Sequence, residues 1–262
     1  MALRTRTRAR TRLRTLVASG GAVLVALALT GCGSADVDGA PAEHKSFALG
    51  GKALTIESGG TTVELVPTDV RKVEVTRRVD GWVVLGDGPD ARWSMRDDTL
   101  TLRVKCHAVI SNCGSRHQVK VPRGVAVTVK GDNGRILASG FDTPLTLHSD
   151  NGMVTVRDSS GPLKLECDNG GLLTERISSR SVSARSDNGG IRLGFSAVPD
   201  LVDTVSDNGR VTIDLPRGSQ AYAVTATTRN GLVSVKVPRS DGSAHVVKAH
   251  SDNGQITVRT AN

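Results

Sequence analysis

The sequence predicts an all-β protein whose main part is a single-stranded β-solenoid, or β-helix, of about seven coils. Three observations predict this fold: a triplet recurs at nearly constant spacing, apolar and polar residues alternate on both sides of it, and a small residue precedes it. The copies are Asp132-Asn133-Gly134, Asp150-Asn151-Gly152, Asp168-Asn169-Gly170, Asp187-Asn188-Gly189, Asp207-Asn208-Gly209, Asp252-Asn253-Gly254 and the variant Arg229-Asn230-Gly231.

Each triplet lies between two stretches that alternate with a period of two. Leu145 and Leu147 precede the second triplet, and Val154 and Val156 follow it, with polar residues between them. The same offsets are mostly apolar in the other copies, whose asparagines follow one another at 18 to 23 residues. Such alternation is typical of strands with one buried face. We therefore expect two strands per repeat, joined by a glycine turn, with each coil stacked in parallel on the previous one.

The position directly before each triplet carries only small residues, such as Ser149, Cys167 and Ser186. This pattern predicts a core that narrows where the chain turns, and it predicts that Cys167 is a buried, inert thiol. A sandwich of hairpins is the alternative fold, because Asn-Gly is also a strong hairpin signal. The solenoid is favoured because hairpins do not require the same inward residue at the same offset in seven copies.

The N-terminal part, residues 46–121, also alternates, as in the stretches 53–57 and 100–104. It is predicted to form a β-rich cap on the solenoid of residues 122–262, and a separate small sandwich domain is the alternative. Cys106 and Cys113 are expected to form a disulfide in this cap, because exported proteins oxidise their cysteines. Metal binding together with His107 or His117 is the alternative, although the spacing matches no common zinc pattern.

The first residues have the pattern of an export signal. Six arginines precede an uncharged run from Leu16 to Leu29, which is too short to span a membrane. Residues 1–31 are therefore predicted to be a signal peptide. The stretch Leu29-Thr30-Gly31-Cys32 resembles the lipobox of bacterial lipoproteins, which implies a diacylated Cys32 as the new N-terminus at the extracytoplasmic face of the cell membrane. An ordinary secretory signal is the alternative.

The segment that follows, residues 32–45, is rich in Gly, Ala, Asp and Pro and is predicted to be a flexible tether. Without the signal peptide the chain keeps 28 basic and 26 acidic residues, which argues against nucleic acid as a partner. Only 2 % of the residues are aromatic, which argues against stacked bases and against sugar subsites.

The Asp-Asn-Gly turns are interpreted as structural, because Gly and Asn tolerate left-handed backbone and Asp accepts local N–H groups. The asparagine amides are also expected to be able to form a ladder between coils. The alternative is a Ca²⁺-binding edge, since stacked carboxylates about 5 Å apart repel one another. The prediction is that the protein needs no metal and no cofactor. No catalytic motif stands out, so a polysaccharide-acting enzyme is disfavoured.

The lead-in from Val119 to Val127 and the repeated Asp-Asn-Gly turns resemble the putative-adhesin family of β-solenoid domains. The resemblance covers residues 46–262, and it implies a bacterial surface domain whose function is unknown. We expect a monomeric, non-enzymatic, lipid-anchored protein that presents one solenoid face to an envelope polymer or to a surface protein. A structural spacer without a ligand is the alternative. Outward residues of the later coils, including Arg192, Arg210 and Lys236, are the candidate residues of a binding surface, and no binding site is assigned to them.

Overall fold

The computed structural model describes residues 36–261, which consist of strands and their connections. Nineteen strands in this range form one nearly closed, barrel-like sheet, so the all-β prediction is confirmed. Within the same range there is no helix long and apolar enough to span a bilayer. The predicted signal peptide, residues 1–31, and Cys32 lie outside the described residues.

Five strands precede the repeats: β1 Ala42–Phe47, β2 Ala53–Gly59, β3 Thr62–Thr68, β4 Val73–Arg96 and β5 Thr99–Pro122. Two strands then belong to each triplet. The strands that lead into the triplets, which we call the first row, are β6 Ala126–Asn133, β8 Leu145–Asn151, β10 Leu163–Asn169, β12 Ser181–Asn188, β14 Leu201–Asn208, β16 Ala223–Asn230 and β18 Val246–Asn253. The strands that follow the triplets, the second row, are β7 Ile136–Ser139, β9 Val154–Arg157, β11 Leu172–Ile177, β13 Ile191–Phe195, β15 Val211–Leu215, β17 Val233–Lys236 and β19 Ile256–Thr260.

Equivalent strands of neighbouring repeats pair in parallel and in register. In the first row β8 lies between β6 and β10, so Leu147 is flanked by Val129 and Leu165. In the second row β9 pairs with β7 in the same way, and Val154 lies beside Ile136. The predicted pair of strands around each triplet, and their parallel register, are confirmed.

The last two repeats stack in the reverse of their chain order. β18 and β19 pair with β14 and β15, and β16 and β17 then pair with β18 and β19. The prediction that each coil stacks on the previous one is therefore wrong for these two coils. The variant repeat around Arg229 becomes the terminal coil, where β16 has no fully buried residue. Terminal repeats of stacked proteins are commonly atypical, because one of their sides has no neighbour.

The N-terminal part continues both rows. β2 pairs in parallel with β6, and β3 pairs in parallel with β7. β4 and β5 form a long antiparallel ribbon, and the two ends of β5 pair with β2 and β3. Residues 35–262 form one compact unit. β1 pairs with β4 from Ala42 onward, so the prediction of a flexible tether is wrong for residues 42–45, whose backbone is hydrogen-bonded in the sheet.

The core is a set of aliphatic columns between the two rows. Leu147, Leu165, Val154 and Leu193 are each at most 1 % exposed, and they stack on equivalents from adjacent coils. Burial of one such side chain stabilises the folded state by about 1.5 to 3 kcal/mol. The repeated columns therefore explain how a chain with so few aromatic residues obtains a continuous core.

Candidate functional site

The turns bring the coils very close together at the glycines. A Cβ on Gly170 would lie 2.0 Å from the carbonyl oxygen of Gly152, and one on Gly189 would lie 1.7 Å from that of Gly170. No side chain fits at such distances. Glycine is thus required here by the close approach of the preceding coil, a reason that the sequence pattern alone does not reveal.

The asparagine side chains form a ladder along the same edge. Asn188 donates to the side-chain oxygen of Asn169 at 3.2 Å, Asn208 donates to Asn188 at 3.2 Å, Asn253 donates to Asn208 at 3.0 Å, and Asn230 donates to Asn253 at 2.9 Å. The ladder follows the spatial order of the coils and includes the terminal repeat. It links five coils by side-chain amides, which supports the structural interpretation of the turns.

The aspartates form a column beside the asparagines, and cations of the protein lie among their carboxylates. Arg185 lies 3.5 Å from Asp187 and 3.8 Å from Asp207. Arg229, the variant residue of the terminal repeat, lies 3.4 Å from Asp252. These side chains offset the repulsion between stacked carboxylates at this end of the column. The sequence argument for Ca²⁺, which rests on that repulsion, therefore does not apply there.

A different arrangement exists around His148. Its Nε2 lies 2.9 Å from Asp150, and its Nδ1, 3.9 Å from Glu166, is buried without a hydrogen-bond partner. Possible ligand atoms of His148, Asp150 and Asp168 all lie within 4.8 Å of one another, and the three side chains are half-buried. The group is brought together by two adjacent coils. That the protein requires no metal stays a prediction.

The cysteines have two separate environments. Cys106 and Cys113 form the expected disulfide, within β5. Cys167 is free and buried, and burial raises the pKa of its thiol. Its Sγ donates to the carbonyl oxygen of Gly152 at 3.0 Å, just as Ser186 Oγ donates to that of Gly170 at 3.2 Å. The small position before the triplet thus also supplies a hydrogen bond to the preceding coil, which sequence reasoning missed.

The outer face of the second row carries a group of cations that we call the arginine face: Arg157, Arg192, Arg210, Lys236 and Arg259. The three candidate binding residues all belong to it. Arg192 and Arg210 line one shallow depression of about 410 Å³, together with the side chains of Met153 and Leu173. Lys236 lies in register beside Arg259.

Asp214 fixes part of this face. Its side chain is 11 % exposed, and Arg259 Nε donates to Oδ1 at 2.6 Å while Arg192 Nη2 lies 3.3 Å from Oδ2. The hydrogen bond to Asp214 raises the pKa of Arg259. One nearly buried carboxylate therefore holds two guanidinium groups in place, and each keeps further N–H donors for a ligand.

The other positions on this face differ in how far their charge is compensated. Arg157 is paired with Glu175 at 2.6 Å. Arg210 has no ion pair within residues 36–261, and its neighbours in the two adjacent coils are Gly190 and the uncharged Gln255. Arg210 is therefore the cation of this face best placed to take an anionic group, with Arg192 on the same side of the depression.

Comparison with known proteins gives similarity to solved structures alone. No family model and no curated protein matches the chain. A structure from Clostridium sporogenes, described as a putative cell adhesion protein, is 10 % identical to this chain. Its TM-score is 0.40, and the match covers 85 % of this chain and 100 % of the Clostridium chain. A putative adhesin from Bacteroides fragilis is 12 % identical, with a TM-score of 0.41 over 84 % and 97 %. A putative adhesin from Parabacteroides merdae is 14 % identical, with a TM-score of 0.32 over 83 % and 95 %.

Proposed function

We propose that this chain is a lipid-anchored, adhesin-like protein of the cell envelope that binds an anionic envelope polymer through the arginine face. The observation that carries the proposal is the pair Arg192 and Arg259 held on one nearly buried carboxylate, Asp214, beside the unpaired Arg210. Arginines fixed in this way lose little side-chain entropy when they bind phosphate or carboxylate groups. The proposed role is binding without catalysis.

The repeated coils suit a polymeric ligand. Equivalent strands of the second row repeat about every 4.8 Å, so the cations of several coils lie along one face. We interpret the stack as a β-solenoid, because parallel register continues from β2 and β3 through the terminal coil. A linear polymer with one negative charge per unit meets several of these cations at once, which raises its overall affinity.

The binding experiment uses residues 35–262, which form one compact unit with its own core. Purified envelope polymers that carry phosphate or carboxylate groups are titrated calorimetrically into the protein. Arg192→Glu combined with Arg210→Glu is expected to weaken binding roughly tenfold or more, since each exposed charge contributes up to about 1 kcal/mol. Lys248→Glu, an exposed change on β18 of the first row, is the matched control.

The outcomes separate the proposal from its alternative. Binding that weakens with salt, is weakened roughly tenfold or more in the double variant and is unchanged in the Lys248 variant supports the arginine face. Equal binding by all three proteins contradicts it. If the wild-type protein binds none of the titrated polymers, a structural spacer is favoured.

Lipid attachment is tested separately on the full chain. Cells that express it are fed an alkyne-bearing fatty acid, and the protein is tagged after purification. Label is expected on the wild-type chain and absent from Cys32→Ser, whereas Cys167→Ser keeps it, because Cys167 is buried in the core. An unlabelled wild-type chain would contradict lipid anchoring.

A further inference from the structure

The middle of the β4–β5 ribbon folds back on itself. Cys106 and Cys113 are seven residues apart in β5, and a fully extended strand covers about 23 Å over seven residues. Their Cα atoms are 6.6 Å apart, and Gly81 lies against the backbone of Cys113. The segment 106–113 and its paired segment 81–88 therefore form a loop-shaped ribbon that is closed at its base by the disulfide.

The point of this loop farthest from the disulfide is apolar. We call it the ribbon apex: Val84, Leu85, Val109 and Ile110. Leu85 and Val109 are 81 % and 80 % exposed, Ile110 is 56 % exposed, and Val84, which pairs with Ile110, is 44 % exposed. They make up half of the large apolar side chains that are exposed within residues 36–261. Grouped apolar exposure of this kind marks a contact surface rather than ordinary scatter.

Charged and polar side chains surround the base of the apex. Asp87 pairs with His107 across the ribbon, and Lys105 pairs with Asp90. Arg92 binds Asp90 at 2.9 Å. Both signs of charge are present, so this collar does not select an anionic partner. The apex offers aliphatic side chains only, above a polar rim, and such a surface suits the acyl region of a bilayer.

The chain that leads to Cys32 is attached beside the same ribbon. Asp36 N donates to the side chain of Asp80 at 2.6 Å, and Asp38 forms an ion pair with Arg116. Asp80 directly precedes Gly81, at the base of the ribbon. Cys32 is four residues before Asp36, and four residues of chain span at most about 14 Å. From Asp80 to Val84 the strand extends about 13 Å.

We propose that the ribbon apex inserts into the surface of the bilayer that carries the Cys32 lipid. This inference rests on the proposed lipid anchoring. The lipid anchor holds the membrane within reach of the apex, so even a weak apolar interaction is sufficient to keep the apex in the bilayer surface. Two attachments, the lipid and the apex, then set the orientation of the coils relative to the membrane, which a lipid on a chain end alone does not do.

The test measures the apex without the lipid. Residues 35–262, which lack Cys32, are mixed with phosphatidylcholine vesicles, and the bound fraction is measured by flotation. Leu85→Ser combined with Val109→Ser is expected to weaken partitioning roughly tenfold or more, since burial of one such side chain is worth more than a tenfold change. Leu232→Ser, at a side chain 73 % exposed on the terminal coil, is the control and is expected to bind as wild type.

The outcomes distinguish this inference from the function on which it rests. Equal partitioning of wild type and the double variant, or no partitioning of the wild type at millimolar lipid, overturns membrane insertion while fatty-acid labelling of Cys32 still tests the anchor. Binding only to phosphatidylglycerol vesicles, and only at low salt, also overturns it, because apolar insertion persists in salt. A dimer that the double variant abolishes assigns the apex to a second copy instead.

Discussion

Replacing Gly170 by alanine tests the closest approach between coils. The added Cβ would lie 2.0 Å from the carbonyl oxygen of Gly152 and 2.8 Å from its carbonyl carbon. Both atoms belong to backbone, so no side chain can move aside to relieve the contact. The coils must separate locally, and the inter-coil bond from Gly152 N to Asn169 O, now 3.1 Å, is strained with them.

The magnitude follows from two contributions. Overpacking of a rigid interior costs about 1 to 3 kcal/mol, and a weakened buried hydrogen bond costs about 1 kcal/mol more. We expect Gly170→Ala to lower the free energy of unfolding by about 3 kcal/mol. For a domain of this size such a loss lowers Tm by about 10 °C.

The next residue provides the control. A Cβ on Gly171 would lie 3.5 Å from the carbonyl oxygen of Gly190 and 3.9 Å from Met153, which are ordinary contacts. Gly171→Ala is therefore expected to change stability by less than about 1 kcal/mol, and it can stabilise the protein by restricting the unfolded chain. Urea unfolding followed by circular dichroism measures both variants. Equal losses at the two positions would refute the close approach of the coils at Gly170.

Two further predictions concern the N-terminal part. His117 is fully buried, and burial, with a smaller contribution from Arg77, lowers its pKa from 6.5 to about 4. Above pH 6.5 the residue is neutral in both states; as pH falls towards 4 only the unfolded chain takes up the proton, so stability should fall by about 3 kcal/mol over this window in urea titrations at a series of pH values. Replacing both Cys106 and Cys113 by serine should lower the free energy of unfolding by about 2.5 kcal/mol through the lost 8-residue loop constraint, measured in the same urea assay.

Each of these predictions has its own control. For His117, the variant His117→Asn should unfold with less pH dependence between pH 4 and 6.5, and an unchanged slope would show that other groups cause it. For the disulfide, reduction of the wild-type protein should reproduce the loss in the double variant, with the strand signal in circular dichroism retained. Stability identical to that of the oxidised wild type would contradict the expected constraint.

The repeat pattern was sufficient to predict the strands but not every contact between them. Alternation around Leu147 and Val154 identified the buried face, because period two in a strand leaves few other ways to hide those side chains. The hydrogen bond from Ser186 to Gly170 was missed, since a small residue in a narrow core was explained by its size alone. The apolar apex at Leu85 was missed as well, because a short apolar stretch within a strand predicts burial as readily as exposure.

The candidate site was predicted in part. Arg192 and Arg210 were identified as outward residues of the later coils, and they share one depression. Arg259 and its ion-pair partner Asp214 were not identified, although both stand five positions after the glycine of their triplets. An alignment of the residues five positions after each triplet glycine reveals both Asp214 and Arg259. In chain order, however, the next residue at this position is Lys236, so the alignment alone predicts Lys236 rather than Arg259 as the neighbour of Asp214.

The sequence by itself determined the all-β composition, two strands per triplet, the buried columns and the small position before each turn, because all of these follow from local periodicity and residue size. Only the tertiary structure decided which coils are neighbours. The last full repeat lies between its two predecessors, and this order places Arg259 rather than Lys236 on Asp214. The physical reason is that equivalent strands have nearly interchangeable inward faces, so the periodic pattern does not specify their order. The variant coil around Arg229 lies at the exposed end of the stack, and its strand β16 has no fully buried residue.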